Sequence, residues 1–75
     1  MSQKLLSKCE KRAFYKVDHI EGDVEQIRFF GRIGLYKGVT FELVQIINKH
    51  YIVYIKNSRY AMEKALASLL VVDAI

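Results

Sequence analysis

Apolar residues recur along this chain with two periods, and the switches between them lay out the elements. From Phe14 to Ile20 they alternate, with Tyr15 and Val17 on one face and Lys16 and Asp18 on the other, which predicts a strand. Val24, Ile27, Phe30 and Ile33 then recur at helical spacing, which predicts a helix over Val24 to Ile33 with one apolar stripe. Its start is signalled by Asp23, placed to accept from the first helical turn, and by Gln26, placed to reach back to the Asp23 N–H as in a capping box. Its end is signalled by Gly34, where a left-handed residue is wanted, followed by Leu35, which folds back onto the helix. Gly38 supplies a second permissive position.

Alternation returns after Gly38. Val39 to Ile47 reads as a strand with Val39, Phe41 and Leu43 facing inward against Thr40 and Glu42. Asn48 to His50 is a polar turn, Tyr51 to Lys56 a strand, and Asn57-Ser58 a turn into a strand over Arg59 to Met62. Glu63 to Ser68 reads as a short helical turn and Leu69 to Val72 as a closing strand, with Leu70 and Val72 facing the core and Ala67 small enough for a close approach. Residues 3–9 form a short lead-in. The expected class is mostly β with one or two short helices, arranged as a small mixed barrel in a single domain over residues 1–75.

Composition narrows the setting. A chain of 75 residues buries a modest core, so its stability is expected to be marginal. One cysteine allows no internal disulfide and no paired-cysteine zinc site, which fits a reducing cytoplasm. The opening residues lack the apolar run of a secretory leader, and Ala65 to Val72 is too short to span a bilayer. The net charge of +4 has one source: residues 1–16 hold Lys4, Lys8, Lys11, Arg12 and Lys16 against Glu10, while the remainder cancels. A solvated basic end that aids solubility is the favoured reading over an arm for an acidic partner or an anionic membrane. No basic stripe suggests nucleic acid.

Catalytic chemistry finds no footing. A nucleophile needs an oriented base, and Cys9, His19 and His50 stand in no such spacing. Cys9 reads as a small buried filler and His50 as a solvated turn residue, while His19 falls on the Tyr15 and Val17 face and is expected to be half buried. Gly31 and Gly34 are not followed by Lys-Ser or Lys-Thr, so no phosphate loop is present. No cofactor is implied. Gly31 inside a helix costs about 1 kcal/mol relative to Ala; packing against a neighbouring strand or a slightly frayed helix end is favoured over the close approach of a partner. The candidate partner surface is Arg28, Phe29, Arg32 and Tyr36: two arginines four apart, an aromatic beside the apolar stripe, and an aromatic in the following turn.

Arg28, Phe30, Ile33, Gly34, Leu35 and Gly38 resemble the R-x-L-x-x-L-G-[LI]-x-x-G element of the FeoA family. Leu6 and Ser7 resemble that family's opening, Val17 and Ile20 its first strand, and Ile55, Asn57, Ala61 and Met62 the positions of its Val, Gly, Ala and Leu. Ala67, Leu70 and Val72 resemble its closing A-x-x-I-x-V, so the likeness runs from about residue 5 to residue 72. The departures are Lys11 and Arg12 in place of a Pro-Gly turn, Lys37 in place of Pro, Phe30 in place of Leu, and Asn57 in place of Gly. The loss of glycine at Arg12 bears on the geometry of the first turn, and Asn57 tolerates a positive φ.

The resemblance implies an SH3-like β-barrel and a non-enzymatic accessory or regulatory role in ferrous-iron uptake. Its implied partner is the cytoplasmic part of the FeoB transporter, met by protein–protein contact, so that the chain is cytoplasmic and peripheral to the membrane only through that partner. The iron context draws attention to His19 and Glu21, with Asp23 and Glu25 nearby, as metal candidates. Capping by Asp23 and the dipole preference of Glu25 account for two of those acids, so no specific metal site is expected. Two alternatives belong to other classes: a metal-responsive SH3-like regulatory module, which would need a DNA-binding partner chain, and a general peptide- or nucleic-acid-binding small barrel, whose nucleic-acid affinity would fall steeply with salt. Edge strands such as Tyr51 to Lys56 leave a homo-oligomer open.

Overall fold

The computed structural model describes residues 3–75 of the chain. Six strands form one antiparallel sheet: β1 (Gln3–Leu5), β2 (Ala13–Ile20), β3 (Thr40–Ile47), β4 (His50–Ile55), β5 (Ser58–Glu63) and β6 (Leu70–Ala74). The order across the sheet is β1-β6-β2-β3-β4-β5. Helix α1 (Val24–Arg32) connects β2 to β3, and the four-residue α2 (Lys64–Ala67) connects β5 to β6. The lead-in carries more structure than its composition suggests, with β1 followed by a 3₁₀ turn at Leu6–Lys8.

Both ends of α1 form as the local sequence dictates. Asp23 Oδ1 accepts from the Gln26 N–H at 2.9 Å, and Gln26 Oε1 accepts from the Asp23 N–H at 2.9 Å. At the other end, Leu35 N–H donates to the Phe30 carbonyl at 2.8 Å and Gly34 N–H to the Gly31 carbonyl at 3.2 Å, the paired bonds of a Schellman motif. Gly34 takes φ +95°, and Leu35 and Phe30, which meet across the motif, are both fully buried. The two β-hairpins use the primed turns that match strand twist: Asn48-Lys49 and Lys56-Asn57 all have positive φ, between the pairs Ile47↔His50 and Ile55↔Ser58. Arg12 adopts φ +61°, a left-handed conformation open to glycine that costs a residue with a Cβ on the order of 1 kcal/mol.

The core lies inside the curled sheet and includes Leu6, Val17, Phe30, Leu35, Phe41, Leu43, Val53, Ile55, Leu70 and Val72. Phe41 and Leu43 face inward as the alternation predicts, and so do Leu70 and Val72. Register shifts between Val17 and His19 and between Leu43 and Gln45 mark a bulge in β2 and another in β3, and bulges of this kind bend a sheet onto itself. The ladder does not close, because β1 and β5 end the order without pairing to each other. The Leu6–Lys8 turn and α2 pack together at that seam, α2 also meets β4 and β5, and Tyr51 Oη donates to the Ser7 carbonyl at 2.6 Å. The fold is a small SH3-like barrel with an open seam.

Two expectations are corrected by this topology. β4 is no edge, since β3 and β5 flank it; the edges are β1 and β5. His19 is exposed rather than half buried, because the bulge at Asp18 advances β2 by one residue and turns every later side chain to the opposite face.

Candidate functional site

Helix α1 builds the most distinctive surface. Only Phe30 among its residues is buried, while Val24 is 63 % exposed, Ile27 45 % and Phe29 37 %. The expected stripe of Val24, Ile27, Phe30 and Ile33 therefore does not face the core as a unit. Residues three apart slip back by about 60° per step at 3.6 residues per turn, so four of them sweep half the helix circumference. Phe30 and the half-buried Ile33 reach the core, and Val24 and Ile27 are left in water. The slip shows that all four cannot share one buried face, and the packing of α1 decides that Val24 and Ile27 are the ones left out.

Gly31 follows Ile27 by four and is exposed. Nothing lies within 4 Å of where its Cβ would stand, so of the two expected readings packing against a strand is absent, and the position is open, one residue before the end of α1. Arg28 and Arg32 are exposed on the adjacent strip. Phe29 lies further round, edge-on to Phe30 with ring centres 5.6 Å apart, and lines a shallow groove with Asp23, Glu25, Gln26 and Leu66. Tyr36, half exposed in the turn after α1, is held by Lys56, whose Nζ donates to the Tyr36 hydroxyl at 3.2 Å and sits 5.3 Å from the ring centre. The four expected residues are thus all at the surface, with Arg28, Phe29 and Arg32 on α1 and Tyr36 in the loop beyond it. Lys56, remote in sequence and delivered by the β4–β5 hairpin, joins Tyr36 only through the fold.

The metal candidates do meet. His19 Nε2 lies 3.1 Å from Glu21 Oε2, and His19 Nδ1 lies 2.6 Å from Asp18 Oδ2. Both imidazole nitrogens face carboxylates, which is the setting of an imidazolium donating twice. The hydrogen bond to Asp18 chiefly, and then that to Glu21, raises the His19 pKa above its ordinary value, and the same contact lowers that of Asp18. A metal requires the neutral ring with a free lone pair. Asp23 is engaged in its cap, and among the described residues no group of three His, Cys, Asp or Glu side chains is placed to hold an ion.

Cys9 is buried, its Sγ donating to the Leu5 carbonyl at 3.4 Å, and burial pushes its thiol pKa up. A protonated, enclosed thiol is a poor nucleophile. His50 is exposed at the start of β4, with Nδ1 3.0 Å from the Asn48 carbonyl. Among the described residues no helix is long and apolar enough to cross a membrane.

A family model for the FeoA domain matches residues 4–74. Among solved structures, an iron uptake regulatory protein (FeoA) is similar to this chain with a TM-score of 0.92 and 21 % identity, covering 100 % of both chains. A FeoA-like protein from Clostridium acetobutylicum follows with a TM-score of 0.88 and 14 % identity over 100 % of this chain and 90 % of its own. The zinc-bound ScaR structure matches with a TM-score of 0.88 and 17 % identity over 99 % of this chain but 38 % of its own, so this chain spans little more than a third of that protein. No curated protein sequence matches the chain.

Proposed function

The chain belongs to the FeoA domain family, and from that premise we propose that it is a non-enzymatic accessory protein of ferrous-iron uptake. It acts in the cytoplasm by protein–protein contact with the cytoplasmic part of a FeoB-type transporter, through α1 and the loop that follows it. One observation carries this reading: a helix specified at both ends leaves Val24, Ile27 and Phe29 in water beside Arg28 and Arg32. Apolar and aromatic side chains interleaved with arginine are the composition of interface anchors. Gly31 adds a point where a partner backbone can come close to the helix.

The test is an NMR titration of the isotopically labelled domain with the soluble cytoplasmic portion of the FeoB from the same organism. Shifts confined to residues 24–37 are expected, and Arg32→Glu should weaken binding about tenfold while the melting point stays within about 2 °C. Shifts centred on β5 or β6 would move the interface elsewhere. An absence of shifts at high partner concentration would sink the transporter reading.

A further inference from the structure

β5 is the longer of the two free edges, and its outward face has a symmetry that selects one occupant. The two-residue turn at Lys56-Asn57 makes Ile55 and Ser58 a hydrogen-bonded pair, so Ser58, Tyr60 and Met62 direct their backbone groups toward β4. The Lys64 N–H continues that alternation by donating to the Lys49 carbonyl at 2.9 Å. Arg59, Ala61 and Glu63 therefore turn their N–H and C=O groups away from the sheet, and their side chains are all exposed. The edge carries no proline and its ladder with β4 runs from end to end without a bulge, so the guards the strand itself carries against pairing are the charges of Arg59 and Glu63. Among the described residues neither Arg59 nor Glu63 has an ion-pair partner.

We propose that a second copy of this chain pairs antiparallel with this edge, β5 against β5, about a two-fold axis through Ala61. In that register Ala61 exchanges both backbone hydrogen bonds with Ala61 of the second copy. Arg59 stands opposite Glu63 of the second copy, and Glu63 opposite its Arg59. Both ion pairs lie on the exposed face, and Tyr60 stands opposite Met62 of the second copy, whose side chain stays in its own core. The charges decide the register: an axis through Arg59 or through Glu63 sets like charges directly opposite each other. They also decide the occupant, since one cation and one anion spaced equally about a small residue complement their own rotated image. The inference stands on the geometry of β5 and does not depend on the partner assigned to α1. A ribbon of six residues is small for an interface, so the dimer forms with rising concentration rather than being permanent.

Sedimentation velocity across a concentration series, with amide shifts of the labelled chain followed in parallel, tests the inference. A monomer–dimer equilibrium is expected, with concentration-dependent shifts at Arg59, Ala61 and Glu63. Ala61→Pro deletes an outward N–H that β4 does not use and should weaken dimerisation on the order of tenfold or more. Because that variant alters the backbone, the charge variants supply an independent readout. Arg59→Glu and Glu63→Arg should each be monomeric alone, with unchanged melts, and should form a heterodimer when mixed. A chain that stays monomeric throughout would overturn the proposal, as would a dimer indifferent to Ala61→Pro or a mixture that fails to associate.

Discussion

The two helices of this protein come from opposite sources. α1 is nine residues long, makes both of its own ends through Asp23, Gln26 and Gly34, and buries one side chain fully. α2 is four residues long, its N-cap Glu63 contributes no side-chain bond, and yet Ala67 is completely enclosed where α2 meets β4, β5 and the Leu6–Lys8 turn. Local capping thus sets where a helix begins and stops, while the surroundings set how much of it is buried. A helix can be sharply specified and still belong to the surface.

Substitutions that separate burial from capping test this contrast, and the largest effect falls on the single anchor of α1. Phe30→Ala should cost about 3 to 5 kcal/mol, whereas Ile27→Ala, a turn away in water, should stay within about 0.5 kcal/mol. Equal losses in denaturant melts would mean that α1 is held by its whole stripe. Next comes α2, where Ala67→Leu forces extra methylenes into a filled seam and should cost about 1 to 3 kcal/mol. A neutral result there would show a looser seam than the enclosure of Ala67 describes. Asp23→Ala removes the cap that α1 supplies for itself and should lower stability by about 1 kcal/mol, read as a fall of roughly 4 to 8 °C in melting temperature for a domain of this size.

The smallest effect lies at His19. Its hydrogen bonds to Asp18 and Glu21 raise the folded-state pKa above 6.5, so the contribution to stability is fully present below pH 6.5 and is lost as pH rises through the raised value. The His19 ring protons should titrate with a midpoint above 6.5, and Asp18→Asn together with Glu21→Gln should return it toward that value. A native midpoint at or below 6.5 would mean that the paired geometry is not kept in solution.

The legible parts of the chain are those whose causes are local. The capping box at Asp23, the left-handed Gly34 and the alternation of Val39, Phe41 and Leu43 each involve residues within a few positions of one another. The alternation of β2 failed at its last turn for the opposite reason. The pairing of β2 with β6 places a bulge at Asp18, and that bulge sends His19 outward to meet Asp18 and Glu21. The candidate surface divides along the same line. Arg28, Phe29 and Arg32 are visible as helix positions, whereas the clasp of Lys56 on Tyr36 requires a hairpin brought from twenty residues away.

By itself, the order of residues determined α1, the strands that follow it and the family resemblance, because capping, hairpin geometry and side-chain periodicity act over a few peptide units. Only the tertiary structure decided which faces those elements bury and which edges they leave free. It set Val24 and Ile27 in water, closed Ala67 in, placed β4 between two neighbours and left β5 open. Burial and strand pairing are relations between segments distant in the chain. They follow from how a curled sheet with two bulges shares a single core, and no local run of residues carries that information.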